Sequence, residues 1–116
     1  MGSESLLGAF EEMVLLAVAR GGGDAYGMTV RREIEERTGR DITIGAAYAT
    51  LERLEKKGLL GSTLGSGSPE RRGRARRYFQ LQPSGAEALG RAREMRAGMW
   101  EGVAVEDLIA EAEGGR

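Results

Sequence analysis

The chain contains no cysteine and no histidine. Without cysteine there is no disulfide, no thiolate metal ligand and no thiol nucleophile. The missing histidine excludes more, because it removes the usual general base, the usual partner of a nucleophilic serine and the commonest metal ligand. Adjacent carboxylates do occur, at Glu11-Glu12 and Glu35-Glu36. Neighbours along a helix do not face one another, so these pairs read as solvated surface rather than acid–base machinery. An enzyme is therefore not expected, and neither is a cofactor or a metal. Long apolar runs are missing as well. The apolar stretch 14–19 ends at Arg20, far short of the roughly 18 residues that a membrane span needs. Glu4, Glu11 and Glu12 precede it, where a signal peptide carries positive charge. These absences predict a cytoplasmic, soluble protein with no membrane partner.

What is present describes a small globular chain. Its 116 residues fit one folded unit, and 41% hydrophobic with 30% charged residues is a globular composition. The net charge of −1 conceals a strong asymmetry. Between Glu70 and Arg77 stand five arginines against one glutamate, whereas from Glu101 onward five acids face the single Arg116. An acidic end thus masks one concentrated basic site, a pattern that points to nucleic acid. No internal repeat is present.

Periodicity places the elements. A first helix is predicted over 6–20 with Ser5 as N-cap; Leu6, Phe10, Met13, Val14 and Ala17 form one stripe, and Leu7, Leu15, Leu16 and Val18 continue round the helix. So apolar a helix is covered on more than one side, either by a second subunit or entirely within its own. Gly21-Gly22-Gly23 ends it, and Asp24 is available to cap a second helix over 26–38, which Gly39 closes. Thr43 is a good N-cap for a third helix, in which Ile44, Ala47, Leu51 and Leu54 recur at helical spacing; Gly58 ends it and Leu59 completes the C-terminal cap. Strands are predicted over 59–64 and 77–82, joined by a long tip holding Gly65-Ser66-Gly67-Ser68-Pro69 and the arginines. Pro83 opens a fourth helix with an Ala88, Ala92, Met95, Met99 stripe widened by Leu89, Trp100 and Val103, and a short amphipathic piece over 105–112 follows. The fold class is mainly α with a small β-hairpin: a winged helix-turn-helix over 1–82, then a dimerisation helix and short tail over 83–116.

In a helix-turn-helix the second helix of the motif enters the major groove. Opposite the core stripe of the third helix lie Gly45, Ala46, Ala49, Glu52, Arg53 and Lys56. Small residues let the backbone approach the groove floor, and an alanine methyl packs on a thymine methyl. Arg53 suits guanine or phosphate, while the hydroxyls of Tyr48 and Thr50 flank this face within reach of the backbone, unless Tyr48 simply packs at the edge of the core. Arg71, Arg72, Arg74, Arg76 and Arg77 lie on the wing, and arginine suits phosphates or a narrow minor groove. The candidate DNA-binding set is therefore Thr43, Gly45, Ala46, Tyr48, Ala49, Thr50, Arg53, Lys56 and those five arginines. The candidate dimer interface is Leu7, Phe10, Val14, Leu15, Val18, Ala88, Ala92, Met95, Met99 and Trp100.

Several of these stretches carry a family resemblance: Leu6-Leu7-Gly8, Tyr26-Gly27, the run from Ile42 through Thr50 to Leu51, Arg53-Leu54-Glu55-Lys56-Lys57-Gly58, and the arginine-rich wing leading to Arg77-Tyr78-Phe79. In order and spacing they resemble PadR-family regulators over about residues 5–100. The resemblance implies a winged helix that binds a pseudo-palindromic DNA operator as a homodimer, usually as a repressor, paired through its first and C-terminal helices. It departs from the family where Ile44 and Ala49 replace frequent prolines and Gln82 replaces a threonine or serine cap. Some relatives stack flat aromatic drugs between tryptophans at the dimer centre, but Trp100 falls about one turn further along and is read as a packing residue. A small-molecule effector has no residues assigned to it. The competing reading is a winged-helix protein–protein module that has lost DNA binding.

Overall fold

A computed structural model of the chain describes residues 7–65 and 75–114. Helices α1 (Ala9–Gly21), α2 (Gly27–Thr38) and α3 (Ile44–Lys56) are followed by strands β1 (Leu60–Leu64) and β2 (Arg77–Leu81), then α4 (Pro83–Trp100) and α5 (Val105–Gly114). This is a winged helix-turn-helix, mainly α with one small hairpin.

Local chemistry accounts for the boundaries, with two corrections. The expected start of α1 at Leu6 is too early: Leu7 and Gly8 are not helical, and Ser5 and Leu6 lie outside the described residues. The Glu11 carboxylate instead accepts from the Gly8 N–H at 3.1 Å and satisfies the first orphan donor of the helix. Asp24 does not cap α2. That place belongs to Tyr26, whose N–H donates to Thr29 Oγ1 at 2.9 Å. Thr43 does cap α3, accepting from the Ala46 N–H at 3.0 Å. The far end of α3 closes in a Schellman motif: Leu59 N–H bonds Leu54 C=O at 3.0 Å and Gly58 N–H bonds Glu55 C=O at 2.9 Å. Gly58 makes this possible with φ +81°, in the left-handed region that suits glycine.

The core lies where α1, α2, α3 and the hairpin meet. Val14, Leu15 and Val18 of α1, Val30 and Ile34 of α2, Leu51 and Leu54 of α3, Leu60 of β1 and Phe79 of β2 are all buried in it. Val14, Leu15 and Val18 are thus corrected as interface candidates, because their own subunit covers them completely. The strands pair antiparallel, from Leu60 opposite Leu81 to Leu64 opposite Arg77. A further link ties the hairpin to the helices: the Phe79 N–H donates to Ala25 C=O at 2.8 Å, a bridge formed just before α2.

Helix α4 begins against the body and then leaves it. A Cβ on Gly85 would stand 2.3 Å from the Leu59 carbonyl oxygen, so glycine is what lets the first turn approach the backbone just before β1. Gly85 and Ala88 are the buried residues of α4; Ala88 is therefore packed within the subunit and corrected as an interface side chain. Leu16 of α1 and Leu89 and Arg93 of α4 share one hollow, and Arg96 pairs with Glu12, so α4 runs antiparallel to α1 and past its start. The chain is accordingly elongated, 63 × 36 × 20 Å. Beyond the expected last turn or two, 105–114 form a ten-residue helix with no buried residue. Among the described residues, no helix is long and apolar enough to cross a membrane.

Candidate nucleic-acid interface

The outer face of α3 is built from its cap outward. With Ala47, Thr50, Leu51 and Leu54 buried against the body, Gly45, Ala46, Ala49, Glu52 and Lys56 are left exposed along the opposite side. The opening two turns therefore present almost bare backbone. Thr43 is exposed at the tip, with its hydroxyl oxygen engaged by the Ala46 N–H.

Thr50 departs from its expected role. Its side chain is 3% exposed and its hydroxyl accepts from Arg53 Nη2 at 3.3 Å. It stands on the core side of the helix and cannot reach DNA. Tyr48 does both things that were open to it. Its ring fills the space over Gly27, where a Cβ would lie 2.3 Å from Cζ, yet the residue remains 40% exposed. Close packing of α2 and α3 at the helix-turn-helix thus depends on Gly27 lacking a side chain.

Arg53 is held rather than free. Its Nε donates to Glu11 at 3.1 Å, and Lys57 Nζ donates to the same carboxylate oxygen at 3.0 Å. Glu11 is nearly buried, and burial alone would raise its pKa; donors from Lys57, the Gly8 N–H and Arg53 outweigh that and hold it below its usual 4.5. One carboxylate of α1 therefore starts its own helix and anchors the last turn of α3. Neither Glu11 nor Lys57 was anticipated, because only the fold brings α1 beside the end of α3. A second carboxylate braces the turn before α3: Glu35 accepts from the Ile42 N–H and from Arg31, both at 3.2 Å, and the Ile42 contact is the larger cause of its lowered pKa.

The wing meets this surface at its base. The Arg76 guanidinium lies 3.9 Å from the centre of the Tyr26 ring, a cation–π contact, and Tyr78 packs edge-on to Tyr26 at 5.8 Å. Arg77 Nη1 donates to Ser62 Oγ at 2.8 Å, and Ser62 Oγ donates to Glu55 at 2.6 Å. Tyr48 of α3, Met28 of α2, Leu64 of β1 and both arginines line one open cleft with Tyr26. The structure thus brings Tyr48, Arg76 and Arg77 together. Tyr26 and Met28 were missed as members of this surface, although Tyr26-Gly27 stood out in the sequence. Arg71, Arg72 and Arg74 lie outside the described residues.

Of the remaining interface candidates, Leu7 and Phe10 are half-buried against the core and Ala92 is partly covered. Met95 and Trp100 are each 50% exposed and Met99 is 81% exposed. Leu16, exposed on α1, was not among the candidates.

The model of the Transcriptional regulator PadR-like family matches residues 15–91. Solved structures with the same fold include a PadR family transcriptional regulator from Eggerthella lenta, 24% identical over 84% of this chain and 80% of that one, with TM-score 0.65. A PadR-like transcriptional regulator from Bacillus cereus is 21% identical over 92% and 93% of the two chains, with TM-score 0.62. A winged-helix DNA-binding protein from STIV is 17% identical over 80% and 92%, also with TM-score 0.62. No curated protein matches the chain in sequence. The helix-turn-helix, its wing and the family match over most of the chain agree, and the protein belongs to the PadR-like family of transcriptional regulators.

Proposed function

We propose that the protein is a sequence-specific regulator that binds double-stranded DNA as a homodimer in the cytoplasm and represses the genes beside its operator. One observation carries the DNA reading: a helix face of Gly45, Ala46 and Ala49, bare enough to enter a major groove, stands next to Arg76 and Arg77 at the base of the wing. In this reading α3 reads bases through its first two turns, and Thr43, Tyr48 and Lys56 meet the sugar–phosphate backbone. Arg76 and Arg77, together with Arg71, Arg72 and Arg74 of the same arginine-rich stretch, hold phosphate or the neighbouring minor groove. Arg53 acts from its pairing with Glu11, as an anchor of α3 that a phosphate can compete for.

Residues 1–82 serve as the DNA-binding part and 83–116 as the assembly part. Pairing is supported by Leu16, Met95, Met99 and Trp100, large apolar residues left uncovered along α1 and α4. Two helices related by a two-fold axis require a pseudo-palindromic operator with half-sites about 34 Å apart, or a multiple of that. Repression is the outcome that the family resemblance favours.

Selection of bound fragments from the source genome, followed by a salt titration of the best fragment, tests the reading. A recurring pseudo-palindrome bound about a thousandfold or more tighter than unrelated DNA is expected. Equal binding to every fragment, or none, would leave the fold as a protein–protein module. A reporter gene placed behind the recovered site should fall in expression when the protein is supplied, and a rise would reverse the sign of regulation.

A further inference from the structure

Helix α5 carries an apolar stripe that its own subunit leaves open. Val105, Leu108 and Ile109 are each about half exposed, and with Ala112 they follow the i, i+3, i+4, i+7 spacing of one helix face. Acids flank this stripe on both sides, Glu106 and Glu113 on one and Asp107 and Glu111 on the other, and 105–114 holds no basic residue. A ten-residue helix is marginal in water on its own, so its stability calls for a cover.

A surface of matching character lies between α1 and α2. Met13, Leu16, Ala17 and Ile34 form its apolar floor, and Arg20 of α1 and Arg37 of α2 converge on Glu33 in its lining. Both arginines bond one oxygen of Glu33 through Nε, which among the described residues leaves their terminal nitrogens to meet further carboxylates. An apolar floor beside a cluster of two arginines and one glutamate, net basic, complements an apolar stripe flanked by acids. The subunit's own α5 is not the occupant. Because α4 runs antiparallel to α1 and passes Glu12 at Arg96, it delivers α5 beyond the start of α1, whereas the groove lies toward the other end of that helix, at Arg20.

We propose that α5 of one subunit seats its Val105–Leu108–Ile109 stripe in the α1–α2 groove of a second copy of the chain, with its acids meeting Arg20 and Arg37. Repeated by the two-fold axis, this gives two clamps outside the Met95, Met99 and Trp100 surface, continuous with it along the chain. The inference rests on the homodimer reading and adds a separate contact to it. It also gives the acidic end of the chain a task, because α5 shields basic groups that lie away from the DNA face.

Because the chain has no native cysteine, cross-linking tests this cleanly. A full-length variant carrying Thr38→Cys at the groove and Ala112→Cys on α5 should be joined by a short bismaleimide into a covalent dimer, with the link mapping between 38 of one chain and 112 of the other. In parallel, Glu106→Lys with Glu113→Lys, on an exposed helix where the fold is not at stake, should weaken dimerisation by about tenfold at low salt and by less at high salt. A 38–112 link within one chain overturns the proposal, since it places α5 on its own groove. A dimer that yields no 38–112 link, and whose dissociation constant ignores the lysine pair, also overturns it and leaves the groove to another occupant while the dimer reading stands. A monomer at tens of micromolar overturns both.

Discussion

Glu11 shows how much one side chain can do when the fold brings three donors to it. Its carboxylate receives the Gly8 N–H, Arg53 and Lys57, linking the start of α1 to the end of α3. Removing the charge with Glu11→Gln should destabilise the protein by roughly 1–2 kcal/mol at neutral pH, a modest figure because Arg53 and Lys57 are themselves half exposed and screened. The folded-state pKa of Glu11 is lowered from 4.5, so the ionised form contributes stability above about that pH and loses it as the pH falls through the lowered value. Melting curves of wild type and Glu11→Gln should therefore converge as the pH falls below 4.5. A gap that stays constant to pH 3 would assign the effect to packing instead. Nothing in the local sequence marks Glu11 apart from Glu12, because both sit in the first turn and only one faces α3. The Gly27–Tyr48 contact is similar: the glycine is visible in the sequence, but the ring that requires it comes from another helix.

At the scale of elements, the proposed reading gives α3 and the wing two different kinds of DNA contact. Ala49 is exposed on the side away from the core, so Ala49→Leu should leave the melting temperature nearly unchanged while lowering operator affinity by about a hundredfold or more, the cost of losing groove contacts at two or more base pairs. Operator binding retained within a few-fold would mean that another face of α3 enters the groove. In the same reading the wing acts through charge. Arg76→Ala and Arg77→Ala should weaken binding to operator and unrelated DNA alike, each reducing the slope of log K against log salt by ~0.9 if it neutralises one phosphate. An unchanged slope would leave these arginines as braces on Tyr26 and Ser62 and nothing more. The elements differ in how plainly they can be read beforehand. Helix α3 is legible because its cap, stripe and Gly58 stop all agree. Helix α1 is legible as a helix but not in its burial, since an apolar circumference does not say which neighbour covers which side. The structure divides it, placing Val14, Leu15 and Val18 inside and Leu16 outside.

For the whole molecule, the proposed function turns on assembly. One α3 and one wing touch only a few base pairs, too few to single out a site among a genome's competitors. Met95 and Met99 are exposed on the last turns of α4, so Met95→Glu with Met99→Glu should give a folded monomer with an unchanged helical spectrum. Its operator affinity should drop most at low protein concentration, where wild type remains paired. Light scattering and a mobility shift on the same samples read both effects. A double variant that still elutes as a dimer would move the interface elsewhere on α1 or α5. The amino-acid sequence by itself determined the order of elements, the caps at Thr43 and Gly58, the arginine-rich wing and the family, because each of these is written in neighbours a few residues apart. Only the tertiary structure decided that Thr50 faces the core, that Arg53 is tied to Glu11, that Ala25 bridges to Phe79 and that α5 stands uncovered. Those outcomes depend on which distant segments meet, and a local pattern of apolar and charged residues specifies that a surface must be covered without saying by what.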